Sequence, residues 1–76
     1  MFGKKYKKFV SIEGMSCARC AEKISSSLSS VEGVLKVSVD VNEKGATLIS
    51  KVVVSDEEIT KRIEEIGYQV NYIKEM

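Results

Sequence analysis

The sequence predicts an α+β domain in which two βαβ units share a four-stranded antiparallel sheet, with both helices on one face. Three observations lead there. Apolar residues recur with period two over four short stretches and at helical spacing over two longer ones. The two patterns follow each other in the order strand, helix, strand, strand, helix, strand. Gly, Ser or Asn stands at each change of pattern, where turns and helix caps need them. The chain has 76 residues, 43% hydrophobic and 30% charged, which suits one small folded domain. We read residues 1–5 as a basic leader and residues 6–76 as that domain.

The first strand runs from Tyr6 to about Glu13, with Phe9 on one side and Val10 and Ile12 on the other. Gly14, Met15 and Ser16 form a short loop, and the Ser16 hydroxyl suits the N-cap of a helix beginning near Cys17. In that helix Ala21, Ile24, Leu28 and Val31 make one apolar stripe, while Glu22, Lys23 and Ser26 face water. Gly33, just past its end, accepts positive φ. Leu35, Val37, Val39 and Val41 alternate with Lys36, Ser38 and Asp40 as a half-buried second strand. A turn at 42–45, where Asn42 and Gly45 tolerate left-handed backbone, leads to a third strand from Ala46 to about Val53. Ser55 and Glu58 have capping-box spacing, and Asp56, Glu57 and Glu58 favour the positive end of a helix dipole. Ile59, Ile63 and Ile66 form the second helix's stripe, Gly67 ends it, and Tyr68, Val70 and Tyr72, with Ile73 nearby, make the last strand.

Composition removes several function classes. The longest apolar run, Val52 to Val54, is far short of the ~20 residues of a membrane span, so no direct membrane insertion is expected. The first ten residues are basic but lead into an alternating stretch rather than an apolar export signal, which points to a cytoplasmic chain. Net charge is +1, yet Lys4, Lys5, Lys7 and Lys8 supply a third of the cations and leave the remainder at −3. No basic recognition helix follows that leader, so nucleic acid is not expected as a partner. With no His there is no imidazole base, and two Cys alone cannot complete a four-ligand zinc site. An enzyme is therefore not expected. A thiol–disulfide oxidoreductase is the alternative from that class, but the chain has no Pro to face a disulfide.

The concentrated chemical signal is Gly14-Met15-Ser16-Cys17-Ala18-Arg19-Cys20, two thiols separated by two residues where a strand gives way to a helix. CxxC by itself occurs in redox, zinc and iron–sulfur settings. Its position is more informative, because free amides and the dipole at a helix N-terminus favour thiolate at Cys17 and, less strongly, at Cys20. Two soft thiolates with no further ligand suit a monovalent soft ion, above all Cu(I); Zn(II) takes about four ligands. Two-coordinate binding leaves directions open for another protein's sulfur, so the ion can pass by ligand exchange. Arg19 and Lys23 would place positive charge beside the thiols, either as solvated surface or as a docking rim for an acidic partner.

Gly14-Met15-x-Cys17-x-x-Cys20 between the first strand and helix, Gly33-Val34 opening the second strand and Gly67-Tyr68 opening the last together resemble one family. That family is the heavy-metal-associated domain of soluble copper chaperones and of N-terminal modules of heavy-metal-transporting P-type ATPases. The likeness covers about residues 7–74. It implies a ferredoxin-like βαββαβ fold, Cu(I) held by Cys17 and Cys20, Met15 packed beneath the loop, and Tyr68 near the site. Tyr at that position is similar to the soluble prokaryotic chaperones. The implied partner is a heavy-metal-transporting P-type ATPase or its metal-binding domain. The implied assembly is a monomer without metal, with a metal-bridged dimer as an option. Ser16 stands where Thr is commonest, a change that keeps the cap; Asp there would point to Zn(II) or Cd(II). Zn(II), Cd(II) and Hg(II) remain the alternative cargo. The 50–55 segment lacks the family's aromatic-Asp-Pro, so that loop is expected to differ. The initiating Met and the completeness of the pattern are read as a free-standing chain.

Overall fold

The computed structural model describes residues 5–15 and 18–76. Its elements are β1 (Tyr6–Glu13), α1 (Ala18–Ser29), β2 (Val34–Asp40), β3 (Gly45–Ser50), α2 (Asp56–Glu65) and β4 (Gln69–Glu75). The strands form one sheet in the order β2-β3-β1-β4, every neighbouring pair antiparallel. With the two helices covering one face, this is the ferredoxin-like α+β fold expected from the element order. Among the described residues no helix is long and apolar enough to cross a membrane.

The core is one layer between sheet and helices. Val10 and Ile12 from β1, Ala46 and Leu48 from β3, Ile24 and Leu28 from α1, and Ile59 and Ile63 from α2 are all essentially inaccessible to water. Removing each large aliphatic side chain from water contributes about 1.5–3 kcal/mol. Val31, Met15 and Val54 close the layer at its margins. Phe9 faces the other way, as its alternation requires, and its ring lies 6.4 Å from that of Tyr72 on the uncovered face.

Two irregularities shift the predicted strand phases. The β2–β3 register slips between Val34 and Lys36, so Leu35 is bulged out, 52% exposed, and not part of the apolar row. Val34, Val37 and Val39 form that row instead, and Val41 falls in the turn beyond β2. On the opposite edge the β1–β4 register slips at Ser11/Ile12, so Val70 and Ile73, three apart, both pack on the core. Tyr72 then points to the open face, and Tyr68 lies before the strand. An extra residue in one strand reverses the inward and outward phase beyond it, which strict period two cannot anticipate.

Turns and caps show where local chemistry was readable. The Asp40 carboxylate accepts from the amides of Asn42 (2.9 Å) and Glu43 (3.3 Å), folding the hairpin from its first side. The left-handed residue is consequently Lys44, at φ 53°, rather than Asn42 or Gly45, and Gly45 already belongs to β3. β3 also stops at Ser50 instead of Val53, leaving Val52 and Val53 exposed while Val54 turns inward. Half of the capping box forms: Ser55 Oγ accepts from Glu58 N at 3.2 Å, but the Glu58 carboxylate instead accepts from Arg62 Nε one turn on, at 2.8 Å. At the C-terminus of α2, Gly67 adopts φ +93°. Tyr68 N donates to Ile63 O and Gly67 N to Glu64 O, the paired bonds of a Schellman cap.

Lys8, counted from sequence among the N-terminal cluster of cations, is a buried residue of β1 on the helix side of the sheet. Its ammonium donates to Val54 O at 2.7 Å and to Asp56 Oδ1 at 2.9 Å. Because its side chain is 10% exposed and that of Asp56 is 63% exposed, the charge is met by one buried carbonyl and one acid at the water boundary. The bond ties β1 to the start of α2 without a fully desolvated ion pair. Replacement by Met should keep the aliphatic packing, leave Val54 O unpaired and lower unfolding free energy by about 1–3 kcal/mol, read as a reduced urea midpoint at unchanged slope.

Candidate metal centre

β1 ends at Glu13 and α1 begins at Ala18, so the sheet passes into the first helix at this end of the molecule. Gly14 starts this passage at φ +86°, a left-handed conformation that an L side chain adopts only with strain. Met15 then turns its side chain into the core, where it is 2% exposed. The loop is thus pinned from below by the apolar burial of Met15. Ser16, the expected cap, and Cys17, the first thiol, lie outside the described residues.

Cys20 sits in the first turn of α1, half-buried and packed against the core cluster. The helix's own spacing accounts for this. Cys20, Ile24 and Leu28 lie four residues apart on the inward-facing row, and Cys20 is the member nearest the end of the sheet. The same side-chain direction that buries Ile24 and Leu28 therefore aims Cys20 at the loop end of the layer rather than into bulk water.

Tyr68 reaches this end from the other βαβ unit. The Schellman cap stops α2 at Ile66 and turns the chain through Gly67, leaving Tyr68 half-buried on the margin of the core. A Cβ built on Gly14 would stand 3.8 Å from Cδ1 of the Tyr68 ring, so ring and loop are in direct apposition. Gly14, Met15, Cys20 and Tyr68 thus gather at one end of the sheet although they are up to 54 residues apart in sequence.

Arg19 and Lys23 are both exposed, four residues apart on the outer side of α1. They line a groove with Glu22, Ser26, Ser27 and Ile66, running between α1 and the C-terminal end of α2. Two of these lining groups are not part of the rim expected from sequence. Glu22 places an acid between the cations, so the rim is not uniformly positive, and Ile66 supplies an apolar floor. The spacing of Arg19, Glu22, Lys23 and Ser26 along one helix face was the available signal for Glu22; nothing local marks Ile66, whose place depends on how the helices meet. That meeting is held by Ser27 Oγ donating to Arg62 O at 3.2 Å and by Arg62 Nη1 donating to Ser30 Oγ at 2.9 Å. Among the described residues no three His, Cys, Asp or Glu side chains converge as a metal cluster.

The pattern of the heavy-metal-associated domain matches residues 9–69, from within β1 to the first residue of β4. The chain belongs to the heavy-metal-associated domain family. As a family member it is 36% identical over 64 residues to the copper chaperone CopZ of Enterococcus hirae, covering 83% of this chain and 93% of that protein. It is also 36% identical over 67 residues to copper-transporting ATPase 2 of Homo sapiens, where the match takes in 87% of this chain but 5% of the ATPase. The chain thus spans a small fraction of the one relative and nearly all of the other. Its fold superposes with a TM-score of 0.80 on the solution structure of the putative copper-ion-binding protein from Bacillus anthracis str. Ames, 31% identical, covering 92% of this chain and 100% of that one.

If Met15 anchors the loop as its burial implies, truncation will be felt in stability. Met15→Ala should lower unfolding free energy by about 2–5 kcal/mol, the range for deleting a large buried side chain, measured by urea unfolding of the reduced protein.

Proposed function

We propose that this heavy-metal-associated domain binds Cu(I) through Cys17 and Cys20 and delivers it to a partner CxxC domain by thiolate exchange, acting as a binding and transfer module rather than an enzyme. One observation carries the reading: Cys20 stands at the open end of the apolar row of α1, beside a loop anchored by Met15 and apposed by Tyr68. Its family membership and its likeness along nearly the full length of a copper chaperone support the same cargo.

The geometry suits transfer for a physical reason. A half-buried sulfur at the margin of a packed layer is held in place by its neighbours and keeps part of its surface exposed. An incoming partner thiolate adds to the ion to give a three-sulfur intermediate, one original Cys leaves, and the ion is never released to water. Gly14 and Met15 hold the loop's near end, while Tyr68 flanks it through packing rather than as a ligand. Arg19 and Lys23, with Ile66 between the helices, form the surface onto which an acidic partner face would dock. The chemistry fits the metal-binding domain of a heavy-metal-transporting P-type ATPase in the cytoplasm.

Anaerobic titration against a competing Cu(I) chelator should return one Cu(I) per chain, and the Cys17→Ala plus Cys20→Ala variant should bind none above background. Unchanged binding in that variant would refute the assignment. Metal competition decides the cargo, since Cu(I) should displace Zn(II), Cd(II) and Hg(II); failure to displace them would transfer the site to one of those ions. Reversing the rim with Arg19→Glu and Lys23→Glu should slow association with an acidic partner domain by roughly tenfold at low salt while changing dissociation less, as steering charges do. Stopped-flow mixing across a salt series reads that difference.

A further inference from the structure

The sheet has two free edges, β2 and β4, and they differ in how they would meet a second copy of themselves. An edge strand presents unpaired backbone donors and acceptors that another strand can complete. On β2 the apolar row Val34, Val37 and Val39 is only half-buried, unlike the fully covered rows of the central strands. The incomplete cover lies at the edge, and Leu35 beside it is 52% exposed.

The β2 sequence is self-complementary when read antiparallel. Pairing two copies about a twofold axis at Ser38 sets Ser38 opposite Ser38, Val37 opposite Val39, and Lys36 opposite Asp40, each unlike pair occurring twice. Directly opposed side chains share a face, so the valines meet on the helix side and the charges on the open side. The even register also keeps both helical layers on the same side of a continuous eight-stranded sheet, because a one-residue slip would invert one copy. The charges are placed to serve. Lys36 is exposed and has no ion pair among the described residues. Asp40 is exposed and uses Oδ1 for the turn amides, leaving Oδ2 available. β4 lacks this match: centred on Tyr72, it would oppose Val70 to Lys74 and Gln69 to Glu75.

We propose that β2 is a homodimerisation edge, pairing two copies through Val37, Val39 and reciprocal Lys36–Asp40 contacts without metal. This departs from the monomer expected of the metal-free chain. Since antiparallel pairing points the two copies in opposite directions, their Gly14–Met15 segments lie at opposite ends of the joined sheet. Each site stays open to a partner, and the assembly is distinct from a dimer bridged by metal through those loops. It does not depend on the cargo assigned above.

The test is sedimentation velocity on the metal-free, reduced Cys17→Ala plus Cys20→Ala chain, in which neither disulfide nor metal can link copies. A concentration-dependent dimer is expected, with β2 amides gaining hydrogen-exchange protection as concentration rises. Lys36→Glu, a change at an exposed side chain, should raise the dissociation constant roughly tenfold or more by opposing two like-charge pairs. Asp40→Lys should do the same. An equimolar mixture of the two variants should restore dimer as a heterodimer, since each introduced charge then faces its opposite across the strand pair and the native Lys36 of one copy faces the native Asp40 of the other. A chain that stays monomeric at all accessible concentrations, a dimer indifferent to Lys36→Glu, or failure of two folded variants to pair on mixing would overturn the proposal.

Discussion

Burial of Val10 and Ile12 on the helix-facing side of β1 is the constraint from which the rest of the molecule follows. β1 is a central strand, paired with β3 on one side and β4 on the other, so its inward residues lie beneath both helices. Their alternation decides which way the chain faces when it leaves the sheet at Glu13. From there Gly14 can reverse it and Met15 can drop back into the same layer. The head of α1, and Cys20 with it, stands where it does because the residues before it are anchored in a central strand of the sheet.

The two βαβ units make comparable but unequal contributions to that end of the molecule. The first brings the loop and Cys20 on a helix rich in Ser, whose modest intrinsic propensity leaves tertiary packing to hold it. The second brings a well-capped helix, with Ser55 at its start and the Schellman bonds at its end, and delivers Tyr68 against Gly14. Arg62 joins α2 to Ser27 and Ser30 at the C-terminal end of α1. Lys8 fixes the other end of β1 to the start of α2. Packed support beneath Gly14 and Met15 from both units fixes the near end of a short surface segment.

The edges of the sheet show a different balance. Both carry a register slip, at Leu35 in β2 and beside Asn71 in β4, and such bulges commonly discourage strand addition. In β2 the slip lies at the start of the strand and leaves the run from Lys36 to Asp40 regular. Half-covered valines and balanced charge then coincide on one short stretch. That coincidence, rather than exposure alone, distinguishes β2 from β4 as a surface for association.

The element order, the helix stripes, the Ser55 cap, the Gly67 stop and the CxxC at a strand–helix junction were legible in the amino acids, because each is a local pattern whose chemistry acts within a few residues. The site's family likeness was legible for the same reason: Gly14 to Cys20 is one continuous segment. Folding decided what depends on distant partners. Lys8 looks like a solvated cation until Val54 and Asp56 are brought beside it, and Ile66 looks like core until α1 lies across it and makes it the floor of a groove. Leu35 and Tyr72 satisfy an alternating pattern, yet both leave the core, because strand phase beyond a bulge is set by hydrogen-bond register with the neighbouring strand and not by the strand's own residues.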